Sequence, residues 1–572
     1  MRYIRTQAVI ALVGLALVGS LLYTQSQGLI TTVAPAAGGT FTEAVVGAPR
    51  RLNPLFDRSN AVDHDLDRLI FSGLIRFDEN GLPVTDLAES WAVSADGLAY
   101  TFVLRDGLRW HDGAAVTVDD VRFTVGLLQA ADFPGPADVA ALWRQVPVSS
   151  PNPNTIRFTL PEPFAPFLDY TAIGILPRHL LSAFTAGQLI SHPFNFAPVG
   201  TGPMKLTSLQ VTEGKIVSAV LEPNPHYVGP SPFLHRIQFR FYADADAAYA
   251  AYTAGEVLAL SQFTPVTLAA ALKNPQLAVY SSRLPQYSLI FLNQKQESVN
   301  FFQEKKVRQA LLAGVNRQWI VDSLLQGQAL VATGPILPGT WAYNNNLNPV
   351  DYDPERAADL LNEGGWALPT GVSADSPDYA RTKNNKALVF TLLVPDDPLH
   401  RAVADIAVKN WAALGAQARP EFLPAGEVKT ALTNRTFEAA LIDLTFVDTP
   451  DPDPYPFWHQ TQIEIGQNFS GYNNRDLSEI LEQARTIPSY ADRAKFYRAF
   501  QSKFADSTPA LLLYYPVFNY AVDKKVRGVQ LGPLVDRGDR FNNVADWYIV
   551  TRRVIESAPC LTHPSPVLYS SM

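Results

Sequence analysis

Cysteine is nearly missing: Cys560 is the single one in 572 residues. No intrachain disulfide can form, so the fold rests on its apolar core, and no cysteine stands behind the N-terminal leader where lipid attachment would need one. A basic excess is missing too. The 46 Lys and Arg face 54 Asp and Glu, a formal net charge of −8, which cannot neutralise a phosphate backbone and argues against nucleic acid as a partner. The nine histidines (64, 111, 179, 192, 226, 235, 400, 459 and 563) never stand three or four apart, as a helical zinc pair requires. Nucleophile motifs of the Gly-x-Ser-x-Gly and Ser-x-x-Lys kinds are absent. Phosphate cradles fail as well, because Gly200-Thr201-Gly202-Pro203 lacks a third glycine and Gly214-Lys215 runs into Ile216. The spacing of Asp448, Asp451 and Asp453 suggests a calcium loop, but Pro452 and Pro454 stiffen it and no Glu closes it. His111 and Asp112 do not make a dyad: strand neighbours point to opposite faces, and Asp112-Gly113 is a hairpin turn pair.

What is present is a long, core-forming chain with 47% hydrophobic, 11% aromatic and 17% charged residues, enough for several folding units and a cleft between them. Residues 1–37 hold Arg2 and Arg5 and no acid, and the 16 residues Ala8 to Tyr23 are uncharged. Bases before a greasy run stay cytoplasmic, so the rest of the chain is expected outside the cytoplasm, in the periplasm or on the outer face of the membrane. The Ala34-to-Ala36 cleavage pattern lies far beyond Tyr23. An uncleaved signal anchor with a tether, over 1–37, is therefore expected.

The elements alternate. Strands are expected at Thr40 to Val46, Tyr100 to Leu104, Ile156 to Leu160, Ile216 to Leu221, Ile237 to Phe241, Val257 to Leu260, Ala387 to Val394, Phe437 to Val447 and Leu511 to Tyr515. Helices are expected at Asp63 to Ile75, Val118 to Leu128 behind Thr117, Asp244 to Ala254, and Pro354 to Glu363 behind Asp353, with apolar stripes around Val307–Val315, Val403–Leu414 and Phe496–Phe504. This is mixed α/β. In PVGTGP, Gly200 and Gly202 are expected to supply unusual backbone angles and Pro203 a fixed one. The Ser/Pro-rich end, 553–572, reads as a disordered tail. An exported, aromatic-rich chain of cleft-forming length without a catalytic constellation has the profile of a ligand receptor.

Several phrases, in order, resemble one family: LNPLFD (52–57), LAESWAVSADGLAYTFVLRDGLRWHDGAAVTVDDVRF (87–123), PVGTGPMKL (198–206), NPHYVGPSPFLHRIQFRF (224–241), KVRQALLAGVNRQWIV (306–321), YDPERAADLLNEGGW (352–366), DPDPYPFW (451–458) and GQNFSGYNNRDLSEIL (466–481). The chain is similar over roughly 40–550 to the family 5 extracellular solute-binding proteins of bacterial ABC importers for dipeptides, oligopeptides and nickel. The resemblance implies a two-lobed periplasmic-binding-protein-like fold of the class II type. A first lobe would span 38–283, with an extra subdomain near 62–185, and return over 510–552; a second would span 284–509. It implies a monomeric receptor without enzymatic activity or cofactor, whose lobes close on a peptide or peptide-like solute and deliver it to a permease. A nickel chelate, an opine or an oligosaccharide is the rival ligand, and a secreted hydrolase the rival activity.

The same resemblance places an Asp for the ligand's α-ammonium at Asp448, in FVDTPDP. The Trp that dipeptide-binding members carry before it is replaced by Thr445 and Phe446, and the Arg that clamps a dipeptide carboxylate is missing, since VPDDP offers Asp396 and Asp397 and no Arg until Arg401. That departure favours a longer or cationic peptide, or another cationic or neutral solute. Tyr287, Trp341, Tyr343, Phe446, Trp458 and Asn468 complete the expected ligand-binding set.

Overall fold

The strand Ala510–Asp523 organises the molecule and is nearly three times the length expected for it, 14 residues. In the computed structural model, which describes residues 11–21, 31–373, 376, 378–446, 450–534 and 536–555, this strand changes partners midway. Residues 510–516 pair antiparallel with Gln286–Leu292 and Ala329–Val331, whereas 517–523 pair with Leu277–Arg283 and Ala259–Leu260. The change falls beside Pro516, which has no N–H to give a ladder; its carbonyl instead accepts the Leu284 N–H at 3.0 Å. Two lobes therefore meet where the chain crosses at 283–286 and again at 516–517.

In the first lobe Thr40–Val46 runs parallel to both Arg236–Tyr242 and Ala259–Leu260. The crossover that parallel strands demand is supplied by the helix Ala245–Thr253, whose first turn is capped by Asp244 accepting from the Ala247 N–H at 2.8 Å. Lys215–Pro223 and Met204–Thr212 extend the sheet as an antiparallel edge. A separate four-stranded antiparallel sheet (Ala88–Val93, Ala99–Leu104, Thr155–Thr159, Val148–Asn152) packs with the helix Val118–Gln129 into the same apolar core, through Phe102, Phe158, Trp143 and Val125. That helix starts where expected because the Asp120 carboxylate accepts the Thr117 N–H at 2.8 Å.

The second lobe carries two successive parallel crossovers. Val389–Pro395 lies between Gln417–Leu423 and Ala439–Thr445, linked by the helices Pro398–Ala413 and Ala425–Thr433. Along Gln286–Leu292 the side chains alternate between two cores: Ile290 and Leu292 enter one with Trp411, while Tyr287, Leu289 and Phe291 enter the other with Phe504. A sheet covered on both faces explains why this strand is apolar without a polar phase.

Several expectations change. The helix from Asp63 stops at Ile70, because Phe71 is extended (φ −115°, ψ 151°) and Ile75–Phe77 pairs with Pro83–Thr85. Gly200 and Gly202 do not sit at positive φ; they are glycines because a side chain would collide with the carbonyl oxygens of Ile70 and Leu69. Residues 31–36, expected in the tether, form a strand, Thr31–Ala36, antiparallel to Val550–Ile555. Residues 11–21 are helical and exposed, and no helix among the described residues is long and apolar enough to cross a membrane. The expected tail, 553–572, begins in a strand rather than as a disordered end, since 553–555 belong to Val550–Ile555; its remainder and both ends of the expected anchor lie outside the described residues.

Candidate functional site

Away from the crossing strands the lobes touch where the loop at Gly339 faces Arg283 and Pro533, and also around Asp169. The one-turn helix Phe167–Tyr170 and the loop before it meet a segment of the second lobe that resumes at Pro450. Two hydrogen bonds cross: the Ala165 N–H donates to the Arg485 carbonyl at 2.7 Å, and the Asp451 N–H donates to Asp169 Oδ2 at 2.9 Å. The Arg485 guanidinium lies 3.8 Å from the Tyr455 ring and 5.1 Å from that of Phe164, so one cation stacks on a ring from each lobe.

A buried charge network holds this segment. Arg493, 0% exposed, grips Asp451 through two contacts of 2.5 and 2.8 Å and donates to the Ala484 carbonyl at 3.0 Å. Asp453 takes Arg485 at 2.7 Å. Burial raises the Asp451 carboxyl above its ordinary range even though the Arg493 charge pulls it down. Asp169 is raised well above that range, by burial first and by the neighbouring Asp451 second. Burial opposes the charge on Arg493, but Asp451 outweighs it and holds the guanidinium's pKa above its usual value.

Beside this junction a cavity of about 340 Å³ is walled by the first lobe, Pro54, Asp67, Asp169 and Tyr170 among its residues, and Pro450 is the one described second-lobe residue that lines it. Its volume is at the lower end of the range for small-molecule pockets. Among the described residues no group of three or more His, Cys, Asp or Glu is placed to hold a metal ion.

Most of the expected site residues gather on one side of the junction. Trp341 packs edge-on to Tyr490 with centroids 4.8 Å apart and lies 5.1 Å from the Arg493 guanidinium. Tyr343 exchanges a 2.7 Å hydrogen bond with Thr333. Phe446 is partly exposed, lies tilted at 5.3 Å from the ring of the fully buried Tyr287, and gives its N–H to the Pro285 carbonyl at 2.8 Å. Trp458 is buried against Phe504 at 4.6 Å. Asn468, 0% exposed, is consumed by its own loop: it donates to the His459 and Tyr472 carbonyls and accepts from Ser470 Oγ and the Tyr472 N–H. Asp448 lies outside the described residues.

Asp396 and Asp397 are used locally. Asp396 pairs with Arg401 at 2.6 Å, and Asp397 caps the helix Pro398–Ala413 while binding His400 at 2.6 Å. Two of the acids that line the cavity, Asp67 and Asp169, stand out only in the folded chain, where both are buried.

Residues 83–464 match the sequence model of the bacterial extracellular solute-binding proteins, family 5. The chain is 27% identical over 533 residues to the oligopeptide-binding protein AppA of Bacillus subtilis, covering 90% of this chain and 92% of that protein. It is 25% identical over 538 residues to the dipeptide-binding protein of Escherichia coli, covering 90% and 96%. The solved structure of AppA in complex with a nonapeptide superposes with a TM-score of 0.68 at 26% identity, over 90% of this chain and 100% of that one. NikZ from Campylobacter jejuni in complex with Ni(L-His) gives 0.69 at 28% identity, over 89% and 99%.

Proposed function

Because the chain belongs to the bacterial extracellular solute-binding proteins of family 5, we propose that it is the extracytoplasmic receptor of an ABC importer, capturing a peptide or peptide-like solute between its lobes and handing it unaltered to a permease. The observation that carries this reading is the cavity walled by the first lobe and reached by Pro450 of the second, beside the junction of the two. Two backbone strands and a small set of hydrogen bonds connect the halves, so the lobes can separate by rotation about 283–286 and 516–517 without unfolding either core. A ligand in the cavity touches both lobes only when they are together. Its binding energy therefore selects the closed state, which a permease can distinguish from the open one.

The relatives bearing oligopeptide- and dipeptide-binding names support a peptide as cargo. Trp341, Tyr343 and Phe446 are the partly exposed rings available to a ligand, with Tyr287 and Trp458 behind them. Asp448, two residues before the buried Pro450, is the carboxylate for an α-ammonium. The uncharged run Ala8 to Tyr23 behind Arg2 and Arg5 supports export with retention at the membrane.

Native mass spectrometry of freshly purified protein tests the reading. Peptide-sized adducts that leave on unfolding, and peptides recovered intact after incubation, are expected. A cleaved peptide would refute receptor-only function, and a co-purified metal chelate would replace the peptide by the kind of cargo in the NikZ structure.

A further inference from the structure

The cavity has a charge sign that its apolar walls do not require. Seven aspartates, three arginines and one histidine line it. Two of the arginines already face acids: Arg68 is bound to Asp539, and Arg76 is the leading counter-charge to Asp86. Two aspartates are in no ion pair among the described residues, although the charges of His64 and Arg493 favour Asp67 and Asp169 respectively. Asp67 is 3% exposed, and neither carboxylate oxygen has a hydrogen-bond partner among the described residues; its favourable electrostatic neighbours are His64 and the Asn53 N–H, set against Asp57 and Asp63. Asp169 is 9% exposed, and Oδ1 has no partner once Oδ2 has taken the Asp451 N–H. Buried carboxylate oxygens without partners cost free energy unless a donor arrives. Among the described residues no set of three His, Cys, Asp or Glu is placed to hold a metal ion. The room exceeds the ~30 Å³ share of one water many times over.

We infer that this cavity is a subsite for an organic cation, an ammonium or guanidinium carried by the ligand, bound on the carboxylates of Asp67 and Asp169. The inference rests on the receptor reading and names the chemistry of its cargo. Asp169 also bonds the second lobe, so a cation there sits on the carboxylate that joins the halves and favours closure. Without a cation, burial and acidic neighbours keep both carboxyls protonated well above the ordinary carboxylate range. With one, each carboxyl that ionises releases a proton.

The test uses the full chain, the tripeptide alanyl-arginyl-alanine and its neutral isostere with citrulline, each with a free and an acetylated N-terminus, by calorimetry. A charge-assisted contact predicts a preference for arginine of about tenfold or more, reduced to within about twofold in Asp169→Asn. Asparagine keeps an oxygen for the Asp451 N–H, so the lobe contact survives; Asp67→Asn, checked for an unchanged melting temperature, should lower the same preference. If the preference follows the free N-terminus rather than arginine and still depends on Asp169, the cation is the α-ammonium. Equal affinity for all four peptides overturns the subsite while leaving the receptor reading intact. If no peptide binds, the co-purified ligand decides: a basic ligand weakened by Asp169→Asn supports the subsite against the peptide reading, and a neutral or anionic one overturns the subsite.

Discussion

Replacing Arg493 by Met tests whether the segment from Pro450 is held by charge or only by packing. The arginine is 0% exposed and Asp451's side chain 1% exposed, so methionine fills much of the space but leaves a buried carboxylate with no cation. Breaking a buried pair in this way costs roughly 3–5 kcal/mol, more than the pair's net contribution, because the desolvation of the remaining charge is no longer offset. For a cooperative unit of second-lobe size this is a fall of about 6–20 °C in melting temperature, at about 2–4 °C per kcal/mol. The double variant Arg493→Met with Asp451→Asn removes both charges, keeps the Asp451 N–H for Asp169, and should regain at least half of the loss. The pH dependence has a definite sign. The folded-state Asp451 carboxyl is already raised by burial, so the folded protein holds this proton more tightly than the unfolded chain, and stability from this group falls as pH rises past the ordinary carboxylate range. Removing Arg493 raises that carboxyl further. The variant's deficit must therefore be larger at pH 8 than at pH 5, measured by differential scanning calorimetry at both. A deficit of a degree or two, or one equal at both pH values, refutes the argument.

Asp448→Ala should weaken a ligand with a free α-amine by about 1.5–3 kcal/mol, roughly 10- to 150-fold, and unchanged affinity by calorimetry would remove that residue from the site. Asn468→Ala should cost about 2–4 kcal/mol in urea unfolding, because four hydrogen bonds inside one buried loop go with it; a variant that keeps its stability but loses ligand would reverse its assignment to the scaffold. Gly200→Ala should destabilise by about 1–3 kcal/mol through overpacking against the Ile70 carbonyl, and a melting temperature equal to the parent's would show that the turn yields freely. His111, whose Nδ1 accepts the Gly200 N–H at 3.2 Å, is lowered to about 4 by burial. The folded state therefore refuses a proton that the unfolded chain takes near pH 6.5, and stability drops as pH falls from about 6.5 to 4. His111→Gln, which keeps an acceptor, should flatten that decline, and an unchanged slope would exclude His111 as its source.

Much of the fold could be read where a boundary has a local cause. Pro354–Glu363 is found between its expected ends because Asp353 caps the Arg356 N–H, Pro354 fixes the first turn, and Gly364 follows. Met204–Thr212 escaped notice because most of its residues are polar or exposed. A two-residue turn with positive φ at Glu213 (51°) and Gly214 (75°) sets it against Lys215–Pro223. Gln286–Leu292 escaped for a different reason: without alternation, a short apolar run does not distinguish a doubly covered strand from a core helix.

The site was legible in type more than in place. Aromatics, an acid near the DP element and the absence of catalytic sets pointed to a receptor, but the sequence could not tell a helix cap from a cleft wall. Asp396 and Asp397 stand where the resemblance would place a carboxylate-clamping Arg, and Arg401, His400 and two backbone N–H groups take them up within five residues. Asp169 gave no signal, since its role depends on Asp451, 282 residues away. Asp451 is in turn committed to Arg493, 42 residues further on. Charge spoken for by a local partner cannot select a ligand. The proposed cationic preference therefore rests on Asp67 and Asp169, which form no ion pair among the described residues.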